Sequence, residues 1–304
     1  MVEQRRRMRV PCVVIFGRVL TVLLIALILL RIFPLSYKNE TDENTLAVYV
    51  LDVGQGDAVL LRMGEATMLI DTASASEEAA LRTALLQHGV KRLDYLVLTH
   101  PHEDHIGNAR SVLEWLEVGE VLLPAIGSED SIYEIFCAVA KTKSVVRTAQ
   151  TGDRFSLGRA TVKVLLAGGE VKESADADRN VNNGGTVLRI ELGEKALLFM
   201  GDAEAEAEAA LLAMYPLDEL RCDFLRVGHH GSSTSSSAPF LAATSPSIAA
   251  ISCGRDNTYG FPHKEVLEGL CAVGAQIYRT DEGGTLVFRT DGSTLSHVLE
   301  GAMK

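Results

Sequence analysis

Three imidazoles and two carboxylates stand within the six residues from His100 to His105. The segment His100-Pro101-His102-Glu103-Asp104-His105 follows an apolar run, residues 93–98, which is typical of a buried strand. Neutral imidazole suits Zn²⁺ and other borderline divalent ions, whereas carboxylate suits harder ions. A solvated polar loop is the alternative interpretation, but the spacing His-x-His-x-Asp-His is dense and specific. The segment therefore predicts metal ligands presented from the end of a strand.

The spacing also predicts how these ligands are divided. In an extended turn His100 and His102 point to the same side, so both could bind one ion, and Asp104 and His105 could serve a second ion nearby. Two such ions can share a hydroxide that is nucleophilic at neutral pH, and they can clamp the attacking and leaving oxygens of a displacement. We expect Glu103 to face solvent or to support a ligand from behind.

Two later segments could complete the site. Asp202 follows a predicted strand, 196–200, and a carboxylate there could bridge two ions, although Gly-Asp after a strand is more often a turn. His229 and His230 follow the predicted strand 223–227 and precede Gly231-Ser232; an exposed polar turn is their alternative reading. Five of the eight histidines of the chain lie in the two clusters. His263 falls at the start of a predicted helix, where a capping or surface role is favoured over a substrate contact.

The elements that would position these residues are short strands with helices interspersed. Such a pattern is typical of two sheets covered by helices. A long polar and acidic loop is predicted from 168 to 183. Strands are predicted at 47–51, 58–62, 67–70, 93–98, 120–123, 144–148, 186–192, 196–200, 223–227, 247–252, 276–279 and 285–289, and helices at 76–88, 106–116, 132–141, 203–214 and 263–273.

Charge is distributed unevenly along the 304 residues. The net charge is −11, but residues 1–38 carry seven Lys or Arg and one Glu, so the remaining residues carry −17. A body this acidic excludes sequence-independent binding of nucleic acid by basic patches, and we expect no stable nucleic-acid binding from charge. The five cysteines form no CxxC pair, which argues against a cysteine zinc site and predicts free buried thiols.

The N-terminus is typical of a membrane anchor. Arg5, Arg6, Arg7 and Arg9 precede an apolar stretch, and residues 13–35 would span a bilayer if Arg18 and Arg31 reach opposite interfaces. An uncleaved signal anchor is favoured over a cleavable signal peptide, because no clear small-x-small cleavage site follows. The basic cluster places the N-terminus in the cytoplasm and the acidic body outside. The predicted domains are 1–35, a basic cytoplasmic tip with a transmembrane helix; 36–46, a linker; and 47–304, the catalytic body.

The motifs together resemble a known family. His100-x-His102-x-Asp104-His105, Gly201-Asp202 and His229-His230-Gly231-Ser232 look like the metallo-β-lactamase superfamily. More narrowly, the segments 52–58 (Asp-Val-Gly-Gln-Gly-Asp-Ala) and 257–263 (Asn-x-Tyr-Gly-x-Pro-His) resemble the extracytoplasmic hydrolase domain of ComEC-type competence (DNA uptake) proteins. The resemblance covers roughly residues 46–292. It implies an α+β fold, the four-layer αββα sandwich, with metals at one edge between the sheets.

The resemblance also implies roles for the residues. His100 and His102 would hold the first metal; Asp104, His105 and one of His229 or His230 the second; and Asp202 would bridge them. We expect His230 to be the ligand and His229 to contact phosphate or to support a ligand, and that order could be reversed.

The chain departs from the pattern in three ways. Superfamily enzymes with two full sites usually have another His between the first cluster and Gly-Asp, and none exists here between His105 and His229. The stretch 182–186 (Asn-Asn-Gly-Gly-Thr) occupies that place. Asn183 is therefore a candidate contact to the first metal, and we expect this metal to be weakly held. The Gly-His-Pro of the subgroup is Gly260-Phe261-Pro262 in this chain. The many membrane helices of a DNA channel are missing as well, which predicts a stand-alone hydrolase.

The sequence thus predicts a metal-dependent phosphodiesterase or nuclease outside the cytoplasmic membrane that uses a metal-bound hydroxide. Two divalent ions are expected, Zn²⁺ before Mn²⁺, with Asp104 and Asp202 as catalytic ligands. Asp57, Ser232 and His263 are candidates for substrate contacts or ligand support. The alternatives are an amide or ester hydrolase acting on a lactam or cell-wall substituent, and a metal-depleted binding module without catalysis.

Overall fold

The computed structural model describes residues 42–168, 171 and 174–299. The predicted transmembrane helix within 1–35, Cys12 and most of the predicted linker lie outside the described residues. Among the helices that are described, none combines the length and the apolar character needed to cross a bilayer.

The described strands form two sheets. The first sheet contains β1 (Leu46–Val50), β2 (Val59–Met63), β3 (Ala66–Ile70), β4 (Arg92–Val97), β5 (Glu117–Leu123), β6 (Val145–Thr148), β14 (Leu286–Thr290) and β15 (Leu295–Val298). The second contains β7 (Arg154–Leu157), β8 (Ala160–Ala167), β9 (Thr186–Leu192), β10 (Lys195–Phe199), β11 (Phe224–Arg226), β12 (Ile248–Ile251) and β13 (Gln276–Arg279). The strand orders are β15-β14-β1-β2-β3-β4-β5-β6 and β13-β12-β11-β10-β9-β8-β7.

The structure describes ten helices. They are α1 (Glu78–Gln87), α2 (Glu103–Ile106), α3 (Ala109–Trp115), α4 (Ser131–Lys143), α5 (Ala177–Asn183), α6 (Ala205–Met214), α7 (Leu217–Leu220), α8 (Ala238–Thr244), α9 (Lys264–Ala272) and α10 (Thr280–Gly283), with 3₁₀ turns at Ala75–Glu77 and Gly228–Gly231. The helices whose apolar side chains join the outer core clusters cover the outer faces of the two sheets.

The apolar core has three layers that follow from the alternation of strand side chains. In β1, Tyr49 packs under the helices on the outer face of the first sheet, whereas Val48 and Val50 face the second sheet. Phe199 and Phe224 meet them from the second sheet, and the outer face of that sheet packs against α6, α8 and α9. When both faces of each of two sheets are buried, helices must cover the outer faces and the two inner faces must share a core. The predicted αββα sandwich is confirmed.

Each sheet contains a run of parallel strands, and this arrangement positions the candidate site. Strands β3 to β6 are parallel in the first sheet, as are β10 to β13 in the second. The carboxyl ends of parallel strands meet at one edge, where ligands bind in open sheets. Every predicted ligand cluster follows one of these strands: His100 to His105 follow β4 in the first sheet, and Asp202 and His229-His230 follow β10 and β11 in the second.

Some predicted elements were wrong. The predicted loop 168–183 ends in a helix, α5, whose first turn is capped by Asp176, which accepts hydrogen bonds from the backbone N–H groups of Asp178 and Arg179. The predicted helix 106–116 is two helices, α2 and α3. They separate at Gly107-Asn108, where Asn108 donates to the carbonyls of Thr72 and Ser74.

Two further expectations need correction. Strand β15 was not predicted. The prediction of buried thiols holds for Cys222 and Cys253, but Cys137 is half-buried and Cys271 is exposed.

Candidate metal centre

The loops after β4, β10 and β11 bring imidazole and carboxylate groups into contact. His105 Nε2 lies 3.2 Å from Asp202 Oδ1, and His100 Nε2 lies 3.9 Å from Asp202 Oδ2. His230 Nε2 lies 3.3 Å from Asp104 Oδ2 and 3.6 Å from Asp202 Oδ2. Residues separated by about 130 positions in the chain therefore share one cluster, with Asp202 at its centre.

The cluster fits a divalent cation. His105 Nε2, His230 Nε2 and Asp202 Oδ1 are buried and have no hydrogen-bond partner among the described residues. Buried polar atoms are ordinarily paired, so three unpaired atoms that face one another point to a missing partner that accepts lone pairs. Imidazole nitrogen and carboxylate oxygen are both ligands of zinc and similar ions.

Among the described residues, atoms that could hold a metal fall into three overlapping groups, each with its atoms within 4.8 Å of one another. One group, Asp57, Asp71 and His105, lies behind the site, where Asp57 pairs with Arg226 and Asp71 contacts His105 Nδ1. The predicted ligands form the other two: the first of these contains His100, His105 and Asp202, and the second contains Asp104, His105 and His230. His102 belongs to neither group, but its Nδ1 lies 3.1 Å from His100 Nε2, so it borders the first. The structure brings the six predicted ligands close together, with His102 at the border of the cluster. His105 belongs to both of these groups, whereas the sequence predicted that His100 and His102 hold one ion and that His105 serves the other.

Burial and charge shift the pKa values of the cluster in a consistent sense. Burial lowers the pKa of His100 well below its usual value, with a further contribution from His105. Burial also disfavours the charged form of His105, but the carboxylates of Asp202, Asp71 and Asp104 outweigh it and raise the pKa of His105 well above the usual value. Burial opposes ionisation of Asp202, yet His105 and His230 lower the pKa of Asp202 well below normal. The carboxylates around His105 thus favour positive charge at the centre of the site.

Asp71, which follows β3, is a functional candidate that the sequence reasoning missed. Its Oδ2 lies 2.8 Å from His105 Nδ1 and accepts from Thr99 Oγ1 at 2.6 Å, and its Oδ1 accepts from Thr99 N at 2.8 Å. A carboxylate on one imidazole nitrogen orients the ring and leaves the other nitrogen free for a metal. Like Asp202, Asp71 directly follows a strand, and this position is the feature of the sequence that could have identified it.

A buried ion pair lies behind the ligand loops. Arg226 in β11 and Asp57 are 1% and 2% exposed, and Arg226 Nη2 lies 2.5 Å from Asp57 Oδ2. Arg226 Nη1 also donates to the carbonyls of Gly201, at 3.1 Å, and Val227, which precede the ligand segments of β10 and β11. Asp57 donates its backbone N–H to the carbonyl of Asp104 at 3.1 Å. One guanidinium therefore connects three of the loops that carry ligands, and Asp57 lies behind the site rather than in it.

His229 and His230 have different surroundings. Both adopt left-handed backbone conformations, with φ of 47° and 53°, which are uncommon outside glycine and occur at functional sites. His230 Nδ1 lies 3.0 Å from the carbonyl of Ser252, so its Nε2 faces Asp104 and Asp202. His229 Nδ1 instead lies 3.2 Å from Thr234 Oγ1 and 3.4 Å from Glu204 Oε1, and its Nε2 lies 3.8 Å from Asp202 Oδ2. The geometry favours His230 as a ligand and leaves His229 at the rim.

Glu204 supports His229 and was also missed by the sequence reasoning. Burial opposes the charge of Glu204, but the hydrogen bonds from His229 and Asn182 lower the pKa of Glu204. Burial lowers the pKa of His229, whereas the contact with Glu204 and the charge of Asp202 raise it, and the net shift is upward.

The other predicted contacts have mainly structural partners. Asn183 accepts from the backbone N–H groups of Glu204 and Ala207 at the start of α6, so its amide oxygen is committed to that helix and not to the first metal. Ser232 lies 3.0 Å from the hydroxyl of Thr234. His263 precedes α9, and its Nδ1 accepts from the backbone N–H of Ser233 at 2.9 Å, which ties the segment after His230 to the helix.

Comparison with known proteins agrees with the fold. The family described as the Metallo-beta-lactamase superfamily matches residues 51–255. The chain belongs to this superfamily and is a hydrolase of its fold, a fold that implies divalent metal ions.

Its relatives include competence proteins. ComE operon protein 3 of Bacillus subtilis (strain 168) is 31% identical over 281 residues, 86% of this chain and 34% of that protein. Competence protein ComA of Neisseria gonorrhoeae is 34% identical over 258 residues, 83% of this chain and 34% of that protein. The chain therefore spans about a third of the length of these curated relatives. The resemblance to ComEC-type proteins predicted from the motifs is confirmed.

A solved structure shares the fold. The metallo-beta-lactamase fold protein YhfI of Bacillus subtilis superposes with a TM-score of 0.54 at 14% identity, over 81% of this chain and 99% of YhfI. At this identity the likeness concerns the fold alone.

Proposed function

We propose that this protein is a metal-dependent phosphodiesterase that acts on the backbone of nucleic acid. The observation that carries the proposal is the convergence of unpaired nitrogen and oxygen atoms from His105, His230 and Asp202 at one buried point. The relationship to competence proteins supports a nucleic-acid substrate. The acidic composition is compatible with it because bound cations would supply the positive charge that the surface lacks.

Residues of this chain would hold two ions in the overlapping groups. We propose that His100, His105 and Asp202, bordered by His102, contact one ion, and that Asp104, His105 and His230 surround the other, with Asp202 close to both. Bound divalent ions supply Lewis acidity and lower the pKa of coordinated water. Asp71 orients His105, and His230 is oriented by the carbonyl of Ser252, so the ligand atoms are held before the ion enters.

His229 lies where it could contact the substrate. Its ring is partly exposed, Thr234 and Glu204 contact its Nδ1, and its Nε2 faces Asp202. A donor at this position can bind a phosphoryl oxygen next to the ions. The extracellular location and the membrane anchor remain predictions from the sequence.

The test compares substrates of different chemistry. The purified chain, loaded with Zn²⁺ or Mn²⁺, is assayed on a dinucleotide, single-stranded DNA, a lactam and a carboxylic ester. We expect hydrolysis of the phosphodiesters, loss of this activity in the double variant Asp104→Asn/His105→Gln, and unchanged activity in His297→Gln, which removes an imidazole from β15.

Metal counting and circular dichroism complete the experiment. We expect bound metal in the wild type and a folded double variant with less metal. A folded double variant that still cleaves the phosphodiesters would refute the proposed centre. Cleavage of the lactam or ester alone would support the amide or ester hydrolase, and a chain with less than one ion and no activity would support the binding module.

A further inference from the structure

An aromatic stack leads from the candidate metal centre to the surface. The rings of Tyr259 and Phe261 are nearly parallel, with centroids 5.3 Å apart and an interplanar angle of 12°. The ring of Phe261 packs at 5.6 Å against His229 and lies 6.3 Å from His230 at an angle of 25°. Tyr259 is 63% exposed, so the outer end of the stack is open to solvent. We call Tyr259 and Phe261 the aromatic platform.

The platform is held in place by hydrogen bonds. Asn257 donates from Nδ2 to the carbonyls of Gly254, at 2.9 Å, and Phe261, at 2.8 Å, and its Oδ1 accepts from Phe261 N at 2.9 Å. Gly260 N–H also donates to the carbonyl of Asn257 at 3.3 Å. One side chain therefore closes the loop that carries both rings. A ring that is already ordered loses little conformational entropy when a ligand stacks on it.

We propose that the aromatic platform binds a nucleobase adjacent to the scissile phosphodiester. This inference rests on the proposed function and names how the substrate is recognised. A base has a flat π-face whatever its identity, and stacking on exposed aromatic side chains is the usual sequence-tolerant contact with single strands. Outside its first 38 residues the protein carries a charge of −17, so its surface gains little from Coulombic attraction to the backbone. Stacking would therefore add affinity beyond what bound cations supply.

The position of the platform sets the class of substrate. Phe261 contacts His229, which lies at the rim, and stacks towards His230, which faces Asp104 and Asp202. A phosphodiester bound at the centre would place a neighbouring nucleoside near these rings. Bases within a duplex have no free face, so we expect preference for single strands and strand ends over duplex.

The experiment separates the base contact from the chemistry. The metal-loaded chain is given the thymidine dinucleotide and the same dinucleotide with one base removed. For Tyr259→Ala we expect KM for the intact dinucleotide to rise by roughly 5- to 150-fold, as for the loss of one stacked base, with kcat little changed. The abasic dinucleotide should have the higher KM already in the wild type and should not respond to the substitution.

Two further variants act as controls. Tyr259→Phe keeps the ring and should keep the wild-type KM. Leu217→Ala truncates a side chain that is 65% exposed, similar to Tyr259, on α7, which precedes β11 and so lies away from the loop at its carboxyl end. It should leave both KM values unchanged. Thermal unfolding followed by circular dichroism checks that each variant is folded.

A second readout needs no turnover. A phosphorothioate dinucleotide that contains 2-aminopurine should lose fluorescence on binding to the wild type and to Tyr259→Phe, because stacking quenches this base, and not on binding to Tyr259→Ala. Quenching without hydrolysis of any phosphodiester would support the platform and overturn the proposed reaction. Hydrolysis with the same KM for wild type and Tyr259→Ala, or an equal rise for the intact and abasic dinucleotides, would overturn the platform alone.

Discussion

Replacing Asp71 by Asn tests whether the orientation of His105 controls metal binding. Asp71 is fully buried, and its carboxylate faces three donors: Thr99 N, Thr99 Oγ1 and His105 Nδ1. Burial raises the pKa of Asp71, the charge of His105 and the hydrogen bonds from His105 and Thr99 lower it, and the net shift is upward. An ionised carboxylate only accepts hydrogen bonds, so it selects the tautomer of His105 with the proton on Nδ1.

The amide that Asp71→Asn introduces cannot accept all three hydrogen bonds. With its NH₂ in the place of Oδ2 it faces His105 Nδ1 as a donor, which favours a proton on Nε2, the nitrogen that faces Asp202. In the opposite orientation the NH₂ meets the N–H of Thr99 and leaves donors unpaired. The backbone adds no strain, because φ of Asp71 is 60° and Asn tolerates this region as well as Asp does.

We expect the dissociation constant for Zn²⁺ to rise by about 10- to 100-fold, the usual cost of losing such a supporting carboxylate. This corresponds to about 1.4–2.8 kcal/mol of binding free energy. The measurement is competition with a fluorescent chelator, with the ¹⁵N chemical shifts of His105 as a second readout of the tautomer.

Asp94→Asn provides a matched control. Asp94 lies in β4 and also accepts a backbone N–H, from Thr67 at 2.8 Å, but it does not contact a histidine. We expect no change in the affinity of this variant for Zn²⁺. An Asp71→Asn variant that folds and binds Zn²⁺ as tightly as Asp94→Asn would refute the proposed role of Asp71.

Two predictions concern stability. Arg226→Met leaves Asp57 buried without its partner, so we expect the free energy of unfolding in urea to fall by about 3–5 kcal/mol. Adding Asp57→Asn should restore part of this free energy. A double variant that is no more stable than the single variant would contradict the pairing. Burial lowers the pKa of His88 to about 4, so the unfolded chain takes up a proton between about pH 6.5 and pH 4 that the folded chain does not. The free energy of unfolding should therefore fall with decreasing pH across this window, by roughly 3 kcal/mol. His88→Gln should remove that part of the pH dependence. Identical pH profiles of stability for the wild type and His88→Gln would count against this role of His88.

The candidate ligands could be predicted from the sequence because each cluster follows an apolar run. The apolar runs of β4, β10 and β11 mark where the strands end, but the meeting of β4 with the two strands of the other sheet is visible only in the structure. His100, His102, Asp104, His105, Asp202 and His230 were identified in this way and with the help of the family resemblance, and the structure places them together.

The supporting residues could not be predicted because their roles depend on contacts between distant segments. Asp71 reaches His105 across 34 positions, and Arg226 looks like an ordinary strand residue until Asp57 and the carbonyl of Gly201 are seen beside it. Asn183 appeared to be available to a metal, but the polar stretch that contains it folds into α5, and its amide caps α6 instead.

Sequence alone determined which atoms can bind a cation, since ligand chemistry belongs to the side chain and its place at a strand end. The tertiary structure decided which ring nitrogen faces the site, because the tautomer of each imidazole depends on the partner of its other nitrogen. It also decided that Tyr259 lies exposed beside the centre, because that position follows from the loop closed by Asn257 rather than from any local preference of the chain.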